Sequence, residues 1–173
     1  MNDEAVEALK LAIESEKRSL LKYLDFAINN EDIRGKNVFI MLARDEFNHL
    51  EYLNQLLKIL VTDGDYCLVT TLPSSEVVKL IPTLKKYESS NKVSLSLKEE
   101  QAINIALNLE DEAKTFYLEQ YYQAKDTQTK DIWKRLADVE ESHYQLLMSQ
   151  TFYLKELAYW QNIKEFSLEI SED

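Results

Sequence analysis

The sequence predicts an all-α protein, a four-helix bundle of two duplicated helix hairpins joined by a long crossover. Three observations carry that expectation. The 173 residues include only two Gly and two Pro, well under the roughly 7% and 5% of ordinary soluble domains, and the turns of β-sandwiches and barrels draw on both. Apolar residues recur in steps of three and four along four segments, the spacing that lines up one face of a helix. A single shift of 94 residues then sets one half on the other. It pairs Ala12 with Ala106, Glu16 with Glu110, Tyr23 with Tyr117, Leu24 with Leu118, Leu42 with Leu136, Ala43 with Ala137, Glu46 with Glu140, His49 with His143 and Leu53 with Leu147.

The first helix, from about Asp3 to Asn29, carries Leu9, Ile13, Glu16, Leu20, Tyr23 and Ala27 on its inner stripe. A second, from about Lys36 to Leu60, continues the rhythm through Phe39, Leu42, Glu46, His49, Leu53 and Leu56. Ser96-Leu97-Lys98-Glu99 has the form of a capping box and opens a third helix, with Ile103, Leu107, Glu110 and Tyr117 inward and an end near Lys125. Asp126 to Thr129 offers N-cap residues for a fourth, which carries Trp133, Leu136, Glu140, His143 and Leu147 and extends to about Trp160. The whole chain, 1–173, reads as one domain: a helix hairpin over 3–61, a crossover over 62–95, a second hairpin over 96–160 and a tail over 161–173. The crossover collects both prolines, Pro73 and Pro82, with Gly64 and a short helical stretch near Ser75 to Leu80. A connection of that length can cross a bundle from end to end.

Charge and cysteine content narrow the function. Twenty Lys and Arg against 31 Asp and Glu give a net charge of -11, which disfavours nucleic acid and favours cations. The longest apolar run, Val38 to Ala43, is far short of the ~20 residues that cross a bilayer, so no membrane partner is expected. One unpaired Cys67 and a Met-Asn-Asp-Glu-Ala start without a signal-peptide layout point to the cytoplasm.

The chemistry lies in four carboxylates placed where a core side chain belongs. Burying an unpaired charge costs several kcal/mol, yet Glu16, Glu46, Glu110 and Glu140 all sit on inner stripes, with His49 and His143 three residues beyond Glu46 and Glu140. Residues at i and i+3 project from one helix face, so each Glu-x-x-His can offer an oxygen and a nitrogen to one ion. Two divalent cations would bring +4 against -4 from the four carboxylates, leaving the site near neutrality. An oxygen and nitrogen set without thiolate favours iron or manganese over structural zinc. Each Glu-x-x-His alone is weak in so Glu-rich a chain; both His sharing the same motif, stripe and register make it specific. Tyr23 and Tyr117 fall seven residues after Glu16 and Glu110. They are either core aromatics or hydroxyl donors that orient the glutamates. Glu14, Glu112 and Glu141 fall off the stripes and read as solvated, while Tyr121, Tyr122, Tyr153, Tyr159 and Trp160 read as helix packing rather than an interface.

In Glu16 to Tyr23, Glu46-Phe47-Asn48-His49, Glu110 to Tyr117 and Glu140-Glu141-Ser142-His143, the chain resembles the rubrerythrin branch of the ferritin-like di-iron carboxylate proteins. Glu165 to Glu169 also resembles tails of that family. The resemblance covers nearly the whole chain. It implies a ferritin-like bundle, often a homodimer, whose two iron ions reduce hydrogen peroxide or dioxygen with outside electrons, manganese or zinc being possible substitutes. On that reading Glu16, Glu46, His49, Glu110, Glu140 and His143 act through the metals, with Tyr23 and Tyr117 behind them.

Two departures stand out. Full-length rubrerythrins add a rubredoxin domain held by Cys-x-x-Cys pairs, and this sequence has only Cys67, so a separate electron donor such as a rubredoxin is expected. The family's extra third-helix Glu, part of a redox-linked ligand switch, is Ala113 here, which leaves a more symmetric site. Two alternatives stay open: a ferroxidase that handles iron, and a helical interaction module whose metal site is structural.

Overall fold

The computed structural model describes residues 3–63, 97–157 and 160, all helical except the two short connections and Trp160. Helix α1 spans Asp3–Asn29, α2 Ile33–Asp63, α3 Leu97–Gln123 and α4 Thr127–Leu157. Helices α1 and α2 pack as one hairpin, α3 and α4 as the other, and α1 meets α3 across the bundle. Cys67, the expected helix near Ser75 to Leu80, Ser96 of the capping box, Tyr159 and the Glu165 to Glu169 segment lie outside the described residues.

Both hairpin turns are set by an aspartate. Asp32 Oδ1 accepts the Arg34 backbone N–H at 2.8 Å and Asp126 Oδ1 accepts that of Thr129 at 2.8 Å, the bonds of a helix N-cap. Hydrogen bonds to these carboxylates favour their charged form and hold both below the usual aspartate range. The Asp32 cap explains why α2 starts at Ile33, three residues before the expected Lys36; its other end also runs past the expected Leu60, to Asp63.

The two hydrophobic clusters leave a polar layer between them. One joins Leu9 and Ala12 of α1 to Leu53 and Leu56 of α2, Ala113 and Tyr117 of α3, and Trp133 and Leu136 of α4. The other joins Tyr23 and Ala27 to Phe39 and Leu42, Ile103 and Ala106, and Leu146 and Leu147. Glu16, Glu46, His49, Glu110, Glu140 and His143 fall between the two sets in every helix, all at 2% exposure or less.

Helix α4 is described to Leu157, and Trp160, the expected end of the helix, is not helical and turns its side chain inward. Its indole, 1% exposed, meets Phe39 edge-on with centroids 5.6 Å apart and donates Nε1–H to Glu99 Oε1 at 2.9 Å. Gly35 makes room for it: a Cβ there would lie 2.4 Å from Trp160 Cε2 and 2.6 Å from Asn30 Nδ2. Trp160 thus ties the start of α2 to the start of α3. Gly35→Ala is expected to destabilise the protein by about 1 to 3 kcal/mol through overpacking, read as an earlier midpoint in urea unfolding. An unchanged midpoint would mean that the indole is not seated against Gly35.

Candidate metal centre

The six stripe residues converge. Glu16, Glu46, His49 and Glu140 form one cluster and Glu46, Glu110, Glu140 and His143 a second, with one potential ligand atom from each residue lying within 4.8 Å of the others. Glu46 and Glu140 belong to both clusters, whereas Glu16 with His49, and Glu110 with His143, flank them at either end. The arrangement repeats the 94-residue offset side chain by side chain.

Each imidazole turns Nδ1 toward three carboxylates from three different helices. His49 Nδ1 lies 3.5 Å from Glu16 Oε2, 3.2 Å from Glu46 Oε2 and 3.3 Å from Glu140 Oε1. His143 Nδ1 lies 3.2 Å from Glu46 Oε1, 3.5 Å from Glu110 Oε2 and 3.3 Å from Glu140 Oε2. The two rings are nearly parallel, with centroids 5.6 Å apart. Ligands about 2.1 Å from a shared cation at ordinary coordination angles stand about 3.0 to 3.4 Å from each other, so the spacing suits coordination. Glu46 Oε1, Glu140 Oε1 and His143 Nδ1 are buried without hydrogen-bond partners, although each looks into one of the clusters. Orphaned buried polar atoms demand an explanation, and a cation in each cluster satisfies all three, one between Glu46 Oε1 and His143 Nδ1 and one between Glu140 Oε1 and His49 Nδ1. The donor set therefore fits a pair of metal ions.

The tyrosines pack in the apolar clusters and also bond to the glutamates, in a crossed arrangement. Tyr23 of α1 donates its hydroxyl to Glu110 Oε1 of α3, and Tyr117 of α3 donates to Glu16 Oε1 of α1. Sequence spacing shows each tyrosine on the stripe of its own helix and does not show that the bond crosses the bundle. A family model described as Rubrerythrin matches residues 7–150 of this chain.

The chain belongs to the rubrerythrin family.

That family is a ferritin-like di-iron family, in keeping with the paired clusters. No curated protein and no solved structure matches the chain. Where the family's ligand switch would need a further carboxylate, Ala113 is buried in the apolar cluster around Tyr117.

One residue of this rubrerythrin site escaped the stripe pattern. Asp45, 1% exposed, places Oδ2 3.4 Å from His143 Nε2, on the side of the ring away from the clusters. A carboxylate there holds the proton on Nε2 and leaves Nδ1 free for a metal. Steps from Leu42 to Glu46 to His49 skip over it; the available signal was its place four residues before His49, on the flank of the same stripe. The offset puts Val139 at the matching position, so this support is not duplicated. Of the acids expected to be solvated, Glu112 pairs with Arg18 at 3.1 Å, and Glu141 accepts from Lys114 and Gln145. Among the other aromatics Tyr153 and Trp160 are buried, whereas Tyr122 is 76% exposed and takes no part in the core.

Confinement shifts the protonation of five side chains of the layer, Glu46, His49, Glu110, Glu140 and His143. Burial drives Glu110 up to about 8 against the opposing pull of His143, and it drives Glu46 upward together with the charges of Glu140 and Glu16. Burial works against charge on His49, but hydrogen bonds to Glu140, Glu16 and Glu46 outweigh it and hold the ring above the usual imidazole value. His143 is raised in the same sense, chiefly by the charges of Glu110 and Glu46 against burial. Glu140 goes the other way, since bonds from both histidines overcome its burial and keep it ionised. Burial first, and then the neighbouring glutamate charges, push the Tyr23 and Tyr117 phenols well above 10, so both keep their protons.

Two predictions follow from these directions. With chelator present, Glu46, Glu110 and both imidazoles bind more protons folded than unfolded, so stability falls as pH rises from 4.5 toward about 8. Glu140 does not offset this, because its contribution is already present above 4.5 and is lost only as pH falls below that value. Thermal midpoints measured across that window should decline for the chelated protein and hold steady once a divalent metal is added; a flat chelated profile would contradict the protonation pattern. Separately, Asp45→Asn should weaken metal binding about 10- to 100-fold with helix content unchanged, as measured by competition with a chelating dye. Wild-type affinity in that variant would remove Asp45 from the site.

Proposed function

We propose that Glu16, Glu46, His49, Glu110, Glu140 and His143 hold two iron ions, and that the protein is a peroxidase-type oxidoreductase. It would reduce hydrogen peroxide, or dioxygen, with electrons from a separate donor such as a rubredoxin. The observation that carries this reading is the sharing of Glu46 and Glu140 between both clusters, which supports two ions acting as a pair rather than two independent sites. When bound, the pair supplies one electron from each ferrous ion, the two needed to reduce a peroxide O–O bond.

The chain's own part is to hold and to shield. Two apolar clusters close the polar layer from above and below and keep water from the reacting groups. The Tyr23 and Tyr117 hydroxyls fix Glu110 Oε1 and Glu16 Oε1, so the remaining oxygens of those carboxylates face the histidines. Asp45 fixes the His143 ring through Nε2. Reducing one peroxide to two waters consumes two electrons and two protons; Glu46 and Glu110, both raised by burial, are the carboxyls of the layer suited to store and release protons. These 173 residues hold one Cys, Cys67, and so no Cys-x-x-Cys pair, and the proposed electron donor therefore lies outside them.

The test is stopped-flow oxidation of the ferrous-loaded protein. Peroxide should oxidise it much faster than buffer does, and the double variant Glu46→Ala with His49→Ala should lose both the iron and the rate. Equal rates with and without peroxide would overturn the proposal. The net charge of -11 favours one second reading, iron oxidation for handling, because an acidic surface attracts cations. Continued uptake of ferrous ion well beyond two per chain would favour it, whereas saturation at two supports the peroxidase reading.

A further inference from the structure

The outward face of α2 differs from that of its copy. Ile33, Ile40, Phe47, Asn54 and Val61 follow at seven-residue steps, a line that drifts only about 20° around a straight helix per step. Its four apolar members are all between 48% and 60% exposed. The 94-residue offset sets Thr127, Lys134, Glu141, Met148 and Lys155 of α4 at the matching places, so the bundle itself does not need an apolar line there. Charge also singles out α2. Setting the buried carboxylates aside, α2 carries four cationic side chains against two anionic ones, α1 four against five, α3 two against five and α4 four against four. In a chain of net charge -11, α2 is thus the one described helix with a cationic surplus. Arg34 pairs with Asp32 at the start of the helix, and Lys36, Arg44 and Lys58 stand one turn from Ile33, Ile40 and Asn54. Helix α1 also exposes Leu21, Leu24 and Ile28, but among charges that lean acidic.

We propose that this face of α2 docks the protein that supplies electrons, and that this partner is a small one-electron carrier with an acidic surface around an apolar patch. The proposal rests on the di-iron reading above. Position supports it: Phe47 faces outward between Glu46 and His49, which are each 1% exposed and belong to the metal layer. A carrier seated on Phe47 is separated from that layer by the thickness of one helix, about 10 Å, a gap an electron tunnels across without an intervening redox group. Each docking moves one electron. Two carriers, each oxidised by one, supply the two electrons that reduction of one peroxide consumes. A line of four apolar side chains suits such a partner, since electron-transfer complexes bury less than about 1,200 Å² in all, with an apolar centre inside a polar rim. Lys36, Arg44 and Lys58 steer an acidic partner to α2, while the acidic surplus elsewhere turns it away.

Docking is tested apart from redox chemistry by loading both partners with zinc, an ion that does not change oxidation state. Titrating the isotope-labelled, zinc-loaded protein with a zinc-substituted acidic rubredoxin should shift the amide resonances of α2 before those of α3 and α4. The affinity should fall about tenfold from about 20 to about 200 mM salt. The double variant Lys36→Glu with Lys58→Glu should weaken binding at least about tenfold and Phe47→Ala about threefold or more, whereas the α4 control Lys134→Glu with Arg135→Glu should stay within about twofold of wild type. Absence of binding, shifts centred on another helix, equal loss in the α4 control, or full binding by the α2 double variant overturns the proposal. So does a wild-type dimer that Phe47→Ala splits into monomers, because the line is then a subunit interface. Zinc content and helix content, measured on every variant, separate a collapsed metal site from a lost docking face. Failure of the di-iron reading shows instead as inertness of the iron-loaded protein to peroxide.

Discussion

Four carboxylates and two imidazoles share a layer of this bundle that is closed to water on both sides, and the surrounding structure is organised around neutralising them. Desolvation alone would make such a layer ruinous for a fold whose net stability is on the order of 5 to 15 kcal/mol. Protons are one solution: the upward displacement of Glu46, Glu110 and both histidines shows the layer gathering them. Divalent cations are the other, and two of them match the four carboxylates in charge while satisfying the orphaned atoms of Glu46, Glu140 and His143. Folding, protonation and metal binding are thereby linked in one small volume.

Duplication explains how such a layer is built with few constraints. A single hairpin supplies two carboxylates and one imidazole; a second copy set against it completes both clusters, with Glu46 and Glu140 common to each. The crossed tyrosine bonds couple the copies, because α1 holds the glutamate of α3 and α3 holds that of α1. Where the copies have diverged, at Asp45 against Val139 and at Trp133 against Phe39, the two ends of the site acquire different surroundings. An asymmetric frame thus surrounds a symmetric ligand set.

Much of this was legible in the sequence, for physical reasons that also mark where legibility stops. Helical periodicity reports which face of each helix is buried, so the bundle, its hairpins and all six convergent residues could be read from steps of three and four. The same periodicity is silent on neighbours across the bundle, so the crossing of Tyr23 to Glu110 and Tyr117 to Glu16 could not be foreseen. Asp45 was missed because a stripe has a flank, and a side chain there reaches the opposite helix rather than its own line. Trp160 was expected to continue α4, since nothing local shows that Gly35, more than a hundred residues earlier, leaves the space into which its indole turns. Helix ends were displaced where capping aspartates rather than apolar spacing set the boundary, as at Asp32.

The central claim is that this layer binds two metal ions as a pair held jointly by Glu46 and Glu140. Anomalous diffraction at the iron edge from crystals grown with ferrous ion tests it most directly. Two peaks about 3 to 4 Å apart, each beside one histidine Nδ1 and with Glu46 and Glu140 between them, are the expected result. A single peak, or two peaks without a shared carboxylate, would contradict it.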